Sequence, residues 1–373
     1  MTYKFRIGIT GATGRVGRTA IGLIDRYLRE KFVVTYLGAS PRSAGKKYGE
    51  VVADRWSGEL PSDVANLVVE DANVIDTVQG KCDLMLSAIE IEDKNLSKEQ
   101  KEERIRDLED NYAVHGIPVV SNNSAHRWTP FVPMIIPEIN PEHLDAIRDQ
   151  QEEMHWNKGF IVVKPNCSIQ SFMMPVHALM RKGYDVTDMA VVTQQALSGA
   201  GDSGPAAVKL IDNRYPNISG EEEKTYKEPL KIFGTVTEHG IIQATYPRIG
   251  SICTRDSVID GHSANVMLRF GRKKPSLDQV IECWNSFKAP YSTEGLCMAP
   301  EKPLVYRSEL GRPTPELDRD TYKGMAVTVG GLKKCNLPFF DIQFTGLSHN
   351  MIRGAVGCGL LTAELLLAKE YIQ

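Results

Sequence analysis

The chain of 373 residues has no apolar run near the roughly 18 residues that a membrane-spanning helix needs. Its start, MTYKFRIGITG, does not read as a signal peptide, because a glycine turn interrupts it after a few apolar residues. An excess of one charge is also missing. Lys and Arg number 44 against 47 Asp and Glu, so the net charge of -3 points to neither nucleic acid nor a membrane surface. The seven cysteines are scattered, odd in number and without a CxxC pair. That argues against a disulfide framework or a zinc site, and for reduced thiols in a cytoplasmic protein with no bound metal. There are no internal repeats and no low-complexity linker. What remains is an ordinary globular composition, 42% hydrophobic and 24% charged, in a chain too long for one core of usual size. Two domains are therefore expected.

The first 150 residues alternate short apolar runs with helical stretches. KFRIGIT, FVVTYLGAS, CDLMLSAI and IPVVSN read as strands; GRVGRTAIGLIDRYLRE and the charged SKEQKEERIRDLEDNY read as helices, the second with a solvated face. Such alternation predicts a parallel sheet covered by helices. From GFIVV onward the strands lengthen: MAVVTQQALSG, GSICTRDSVIDGHSANVMLRF, GMAVTVGGLKK and FFDIQFTGLSH. That predicts a mixed or antiparallel sheet with helices on one side. The closing NMIRGAVGCGLLTAELLLAKEY reads as one long amphipathic helix whose apolar face packs back on the first domain. The fold class is thus α/β. A Rossmann-like dinucleotide-binding domain spans 1–158 with helix 349–373 returning to it, and an α+β domain with a mixed sheet spans 159–348.

GITGATGRVG sets glycines at 8, 11, 14 and 17, directly after the first strand and at the opening of the first helix. Glycines let backbone approach a pyrophosphate, and the helix start offers free N–H groups and positive potential. Without its context the motif would be only a tight turn. Gly11, Thr13, Gly14, Arg15 and Val16 are the candidate contacts there, with Ser87 at the end of CDLMLS. An NAD site usually carries a carboxylate at the end of the second strand. Here ASPRSAGKKYG offers Ser40, Arg42, Ser43 and Lys46 instead. Arg42 suits a 2'-phosphate, which favours NADP over the plainer reading of a surface loop.

KPNCSIQ places Cys167 between the apolar FIVV and the helical SFMMPVHALM. Pro165 and Asn166 end the strand, and Ser168 is the expected helix cap. A helix N-terminus favours a thiolate by only about 0.3–1 kcal/mol, so a base or cation must assist. Of eight histidines, seven (115, 126, 143, 155, 177, 239 and 349) show no polar cluster at fixed spacing and read as surface or core residues. His262 differs: in CTRDSVIDGHSANV it follows Arg255 by seven residues, within what reads as an apolar strand pair.

GATGRVG, PRSAGKKYG, KPNCS, QALSGAG, EEEK and TRDSVIDGH, with IPEINPEH and HNMIRGAVG, stand in the order found in aspartate-semialdehyde dehydrogenases, especially the archaeal and fungal branch. The chain resembles that family over nearly its whole length. The resemblance implies NADPH-dependent reduction of L-aspartyl 4-phosphate to L-aspartate 4-semialdehyde with release of phosphate, in the synthesis of lysine, threonine, methionine and isoleucine. It also implies a homodimer or homotetramer. By resemblance Cys167 is the nucleophile that forms an acyl-enzyme and His262 the acid/base. Arg255 would bind the α-carboxylate, Gln195 would position the substrate, and Glu221 would hold its amine. Lys224 and Arg127 would bind phosphate. Ser198, Gly199 and Asn350 would border the nicotinamide. Backbone N–H groups at the start of the Cys167 helix would stabilise an oxyanion.

The chain departs from the family pattern at Ile169, where threonine is frequent, at Asp256 beside Arg255, and at His126, where an aromatic is common. Strand alternation is expected to turn Asp256 away from Arg255. The competing readings are a malonyl-CoA reductase, which shares the cysteine and NADPH, and a non-catalytic NADP-binding sensor, which would lack the nucleophile or the base. An N-acetyl-glutamyl-phosphate reductase fits PNCS and DGH poorly.

Overall fold

The computed structural model describes residues 4–200 and 213–372. Its first sheet is built from β1 (Phe5–Thr10), β2 (Phe32–Ala39), β3 (Val69–Asp71), β4 (Leu84–Ser87), β5 (Val119–Ser121) and β6 (Ile161–Val163). All are parallel, in the order β3-β2-β1-β4-β5-β6, the doubly wound arrangement of a Rossmann fold. The near-continuous apolar runs of these strands follow from burial on both faces. One face is covered by α1 (Arg15–Leu23), which continues as a π-helical turn at Ile24–Leu28. The short α2 (Tyr48–Val52) and α3 (Ser62–Ala65) follow β2. The other face carries α4 (Lys98–Val114), started by a reciprocal cap between Ser97 and Gln100. α5 (Ala146–Met154) precedes β6.

The edge strand β6 lies past the boundary expected after residue 158, so the first sheet reaches Val163, four residues short of Cys167. Then come α6 (Gln170–Arg181) and the second sheet. Its strands are β7 (Val186–Gln195), β8 (Tyr215–Pro216), β11 (Arg248–Arg255), β12 (His262–Phe270), β13 (Leu304–Arg307), β14 (Val327–Lys334) and β15 (Ile342–Ser348). α7 (Glu221–Ile232) and a small hairpin of β9 (Thr235–Thr237) and β10 (Gly240–Ile242) lie between β8 and β11. α8 (Leu277–Asn285) and α9 (Pro315–Asp318) flank β13.

The order is β13-β14-β15-β12-β7-β11-β8. β11 runs parallel to β7 while β12 runs antiparallel to it, so the sheet is mixed as expected. The two strands of GSICTRDSVIDGHSANVMLRF do not pair with each other, because β7 lies between them. This has a consequence for the site: Arg255 is opposite Gln195, and Gln194 is opposite Ser263, so three separate segments end at one rim.

α6 and α8 cover one face of this sheet. Pro175 within α6 has no N–H for the Ser171 carbonyl. Gly346 of β15 closes on that carbonyl, and a Cβ there would lie 2.0 Å from the Ser171 oxygen. The opposite face shows Val192 and Ile252, neighbours in register and both exposed.

The closing segment is not one amphipathic helix. A π-helical turn at Ile352–Val356 leads into α10 (Gly357–Ala368), whose residues 357 to 366 are all buried. It packs on β5 and α1, and its Gly359 faces Leu86 and Val120. The long run of apolar residues in GCGLLTAELLLA therefore reports burial on every side. Among the described residues no helix is long and apolar enough to cross a membrane.

Candidate active site

Cys167 stands where β6 of the first sheet hands over to α6, which packs on the second. Asn166 shapes this turn, and Ser168 is not the cap. The Asn166 Oδ1 accepts from the Ser168 backbone N–H (2.8 Å) and hydroxyl (2.7 Å), the local bonding that asparagine favours at turns. Cys167 Sγ lies 3.3 Å from His262 Nε2. His262 opens β12 and is fully buried. Its Nδ1 accepts from the Ala196 backbone N–H at 2.9 Å, so the neutral ring carries its proton on Nε2 and presents it to sulfur. Burial, then the nearby Arg255, pull the imidazole down to about 3.

Glycine is required at two positions around this pair. A Cβ on Gly199 would sit 2.8 Å from both Arg255 Nη1 and His262 Cε1. A Cβ on Gly354 would sit 2.7 Å from Cys167 Cβ.

The other expected residues fall on the same rim. Arg255 is buried and its Nη1 donates to the Ala196 carbonyl at 2.8 Å. Asp256 faces the other way and pairs with Arg214 at 2.9 Å, as strand alternation predicts. Glu221, at the first turn of α7, accepts from Lys224 Nζ (2.8 Å), Gln195 Nε2 (3.1 Å) and Asn166 Nδ2 (3.0 Å). Burial opposes its charge, yet Lys224 and these donors hold the carboxyl at about 2. Arg127 is buried and its Nη1 donates to Glu228 at 2.8 Å.

Glu228 escaped the sequence reading. It sits seven residues after Glu221 on the same helix, is fully buried, and also accepts from the Asn166 backbone N–H at 2.6 Å. Lys231, one turn further, donates to the carbonyls of Arg127 and Thr129 and is pulled by burial to about 7. The oxyanion expectation narrows: the Asn166 and Ser168 amides are taken, and only the Cys167 N–H of these three meets no acceptor among the described residues.

The residues expected at the nucleotide lie at the carboxyl ends of β1, β2 and β4, where an α/β sheet offers its crevice. Gly11 has φ +72 and a Cβ there would lie 2.1 Å from the Ala88 carbonyl oxygen; a Cβ on Gly17 would lie 2.5 Å from the Gly11 oxygen. The turn carbonyls are occupied, Ala12 by the Tyr48 hydroxyl (2.9 Å) and Thr13 by Arg18 Nη1 (2.6 Å). α1 opens directly behind this turn, so its first-turn backbone N–H groups give the turn a polar lining. Ser40, Arg42 and Ser43 follow β2; Arg42 is largely exposed and donates to Glu92.

Two of the residues expected at the nucleotide are bonded to other parts of the protein. The Ser87 hydroxyl donates to Glu109 Oε1 at 2.6 Å, beside Ser121 and Asn123, so the charged helix buries one carboxyl among three polar groups. The Asn350 side chain braces two turns. Its Oδ1 accepts from the Gly261 N–H at 2.8 Å and its Nδ2 donates to Ser198 Oγ at 2.7 Å. No group of three or more metal-ligating side chains assembles among the described residues.

Known proteins resemble the chain over nearly its whole length. Residues 6–147 match the profile described as semialdehyde dehydrogenase, NAD binding domain, and residues 176–353 match that of semialdehyde dehydrogenase, dimerisation domain. The aspartate-semialdehyde dehydrogenase of Methanothermobacter thermautotrophicus is 37% identical over 96% of this chain and 98% of its own. That of Aspergillus fumigatus is 35% identical over 99% of each. A crystal structure of the Candida albicans enzyme with NADP superposes with a TM-score of 0.86 at 32% identity, covering 99% of this chain and 100% of the other.

Proposed function

The chain belongs to the semialdehyde dehydrogenase family, and from that premise we propose that it is an NADP-dependent aspartate-semialdehyde dehydrogenase acting through Cys167. The observation that supports the chemistry best is the Cys167–His262 contact at a rim shared by both domains. Around it stand four cations (Arg127, Lys164, Lys224 and Arg255) and two carboxylates, Glu221 and Glu228. A surplus of positive charge suits a substrate with an acyl phosphate at one end and an α-carboxylate at the other. Arg255 takes the carboxylate, with Gln195 beside it. Arg127 and Lys224 take the phosphate, and Glu221 takes the amine. Two fixed ends place the acyl carbon over sulfur and convert binding into orientation.

The thiolate attacks that carbon. A C–S bond forms, the oxyanion meets the Cys167 N–H, and the C–O bond to phosphate breaks with its electron pair leaving on phosphate. A thioester on Cys167 remains. Bound NADPH supplies a hydride to this carbonyl carbon, which yields the aldehyde when the C–S bond breaks. His262 Nε2–H points at sulfur and stabilises it as a thiolate, both before attack and as a leaving group. The glycine cradle fits a pyrophosphate, held by Gly11, Thr13, Gly14, Arg15 and Val16. Ser40, Arg42 and Ser43 hold the 2'-phosphate, and Ser198, Gly199 and Asn350 keep the nicotinamide end next to His262. The exposed Val192 and Ile252 make the bare face of the second sheet the place where a homo-oligomer forms.

The test is an assay of NADP reduction with aspartate semialdehyde and phosphate, run beside NADPH oxidation with malonyl-CoA. Turnover only in the first pair is expected; turnover only in the second would overturn the substrate. In the same assay Arg42→Ala should raise KM for NADP at least about tenfold and change NAD little. An equal loss for both cofactors would move the 2'-phosphate site elsewhere.

A further inference from the structure

Lys164, three residues before the nucleophile, is buried, and nothing above assigns it a task. Its backbone N–H donates to Ser121 O at 3.0 Å and so extends the β5–β6 ladder by one residue. Its side chain stays inside: Nζ donates to the Pro165 carbonyl at 2.9 Å and to the Gly354 carbonyl at 2.7 Å. Among the described residues no carboxylate pairs with it. Pro165 belongs to the Cys167 turn, and Gly354 is the residue whose α-carbon lies against Cys167. One ammonium therefore joins the two backbone segments that enclose the nucleophile.

A buried cation without a carboxylate costs several kcal/mol, and such groups persist where a charge is needed. The charge needed here is one that faces a thiolate. His262 cannot supply it in this arrangement. Its Nδ1 is an acceptor for the Ala196 N–H, and an imidazolium would set N–H against N–H. The groups facing Cys167 are Lys164, Glu221, Arg255, Arg127 and His262; those facing Lys164 are Arg127, Cys167, Cys358 and Glu228. Burial and Glu221 push the thiol up, and Lys164 is the foremost of the groups that pull it down. Arg127 is already matched by Glu228. Arg255 is matched by the carboxylate once substrate is bound. Lys164 alone keeps its charge for sulfur throughout the cycle.

Building on the proposed role of Cys167, we infer that Lys164 is a positioning residue that holds the nucleophile turn against Gly354 and stabilises the Cys167 thiolate. Burial also draws the ammonium down to about 8, so its charge persists through neutral pH and fades above it.

The experiment follows the rate of Cys167 alkylation by iodoacetamide against pH in the full-length protein, with Cys167→Ala as the blank. Lys164→Gln keeps donors for both carbonyls and loses the charge; Lys164→Met loses both. Both should move the alkylation midpoint up by at least about one pH unit and lower kcat at pH 7 about tenfold or more, with NADP affinity unchanged. A wild-type midpoint in Lys164→Gln overturns the inference. Lys164→Arg, which keeps a permanent charge, gives a second test where the neutral variants do not fold. Its midpoint should be at or below that of wild type, and a raised one overturns the inference. Full turnover in Cys167→Ala would instead defeat the reading of the nucleophile, which is a separate result.

Discussion

Cys167→Ala should lower kcat for phosphate-dependent oxidation of aspartate semialdehyde by at least about 10⁴-fold while NADP affinity stays within about twofold. The size follows from what is lost. In the proposed mechanism sulfur carries the acyl carbon between phosphate and the hydride donor. Without it the two chemical halves have no shared intermediate. Arg127, Arg255, Gln195 and Glu221 remain in place, since their hydrogen bonds run to Glu228, to the Ala196 carbonyl and between Gln195 and Glu221, and not to the thiol. Substrate binding should therefore survive, and the defect should lie in kcat rather than KM. The nucleotide cradle is built on Gly11, Tyr48 and Arg18, far from the change in sequence and in contact. The check is steady-state turnover beside NADP titration by fluorescence. Activity within a hundredfold of wild type would remove sulfur from the chemistry.

Moderate acid should unfold this protein readily. Five histidines (126, 143, 177, 262 and 349) are held below their ordinary value, in each case chiefly by burial. His126 and His177 stand at about 4, and His262 at about 3. Between those values and 6.5 the unfolded chain binds protons that the folded chain refuses. Stability is thus full above about pH 6.5 and falls as pH drops toward 4. At pH 5 His177 and His262 each cost about 2 kcal/mol, together about 4, close to the whole stability of a small domain; His126 costs less, because Asp110 lies 3.3 Å from its Nε2 and would pair with the charged ring. Asp110, raised to about 6 mainly by burial, works the other way and offsets about 1 kcal/mol. Glu221, held at about 2, loses its contribution only below about pH 4.5. The urea midpoint at pH 5 should therefore fall well below that at pH 7. An equal or higher midpoint at pH 5 would mean that these rings charge freely in the folded state.

The parts of this molecule that were legible in advance are those written in local spacing. A strand, a glycine turn and a helix follow one another in GITGATGRVG, and the structure keeps that order. FIVV, a turn and a helix bracket Cys167 in the same way. What escaped depends on distant partners. That β7 divides β11 from β12 follows from how long strands pair, and no spacing records it. Glu228 looks like one more charge on a solvated helix until Arg127, 101 positions earlier, is placed beside it. Ser168 seemed the cap because serine is common there, whereas the preceding asparagine bonds first. Lys164 stood in plain view in KPNCS, but a lysine next to a proline gives no sign of pointing inward. The resemblance to a known family named side chains that end up on one rim; it did not name the residues that hold them there.

The last helix has a bearing on how the molecule comes into being. α10 fills the gap against β5 and α1, with Leu360, Leu361, Leu365 and Leu366 all fully enclosed. During synthesis the amino-terminal half emerges first, yet the part of its sheet and of α1 that α10 covers stays bare until residues 357–368 have left the ribosome. The nascent polypeptide must shelter that greasy surface for most of its translation.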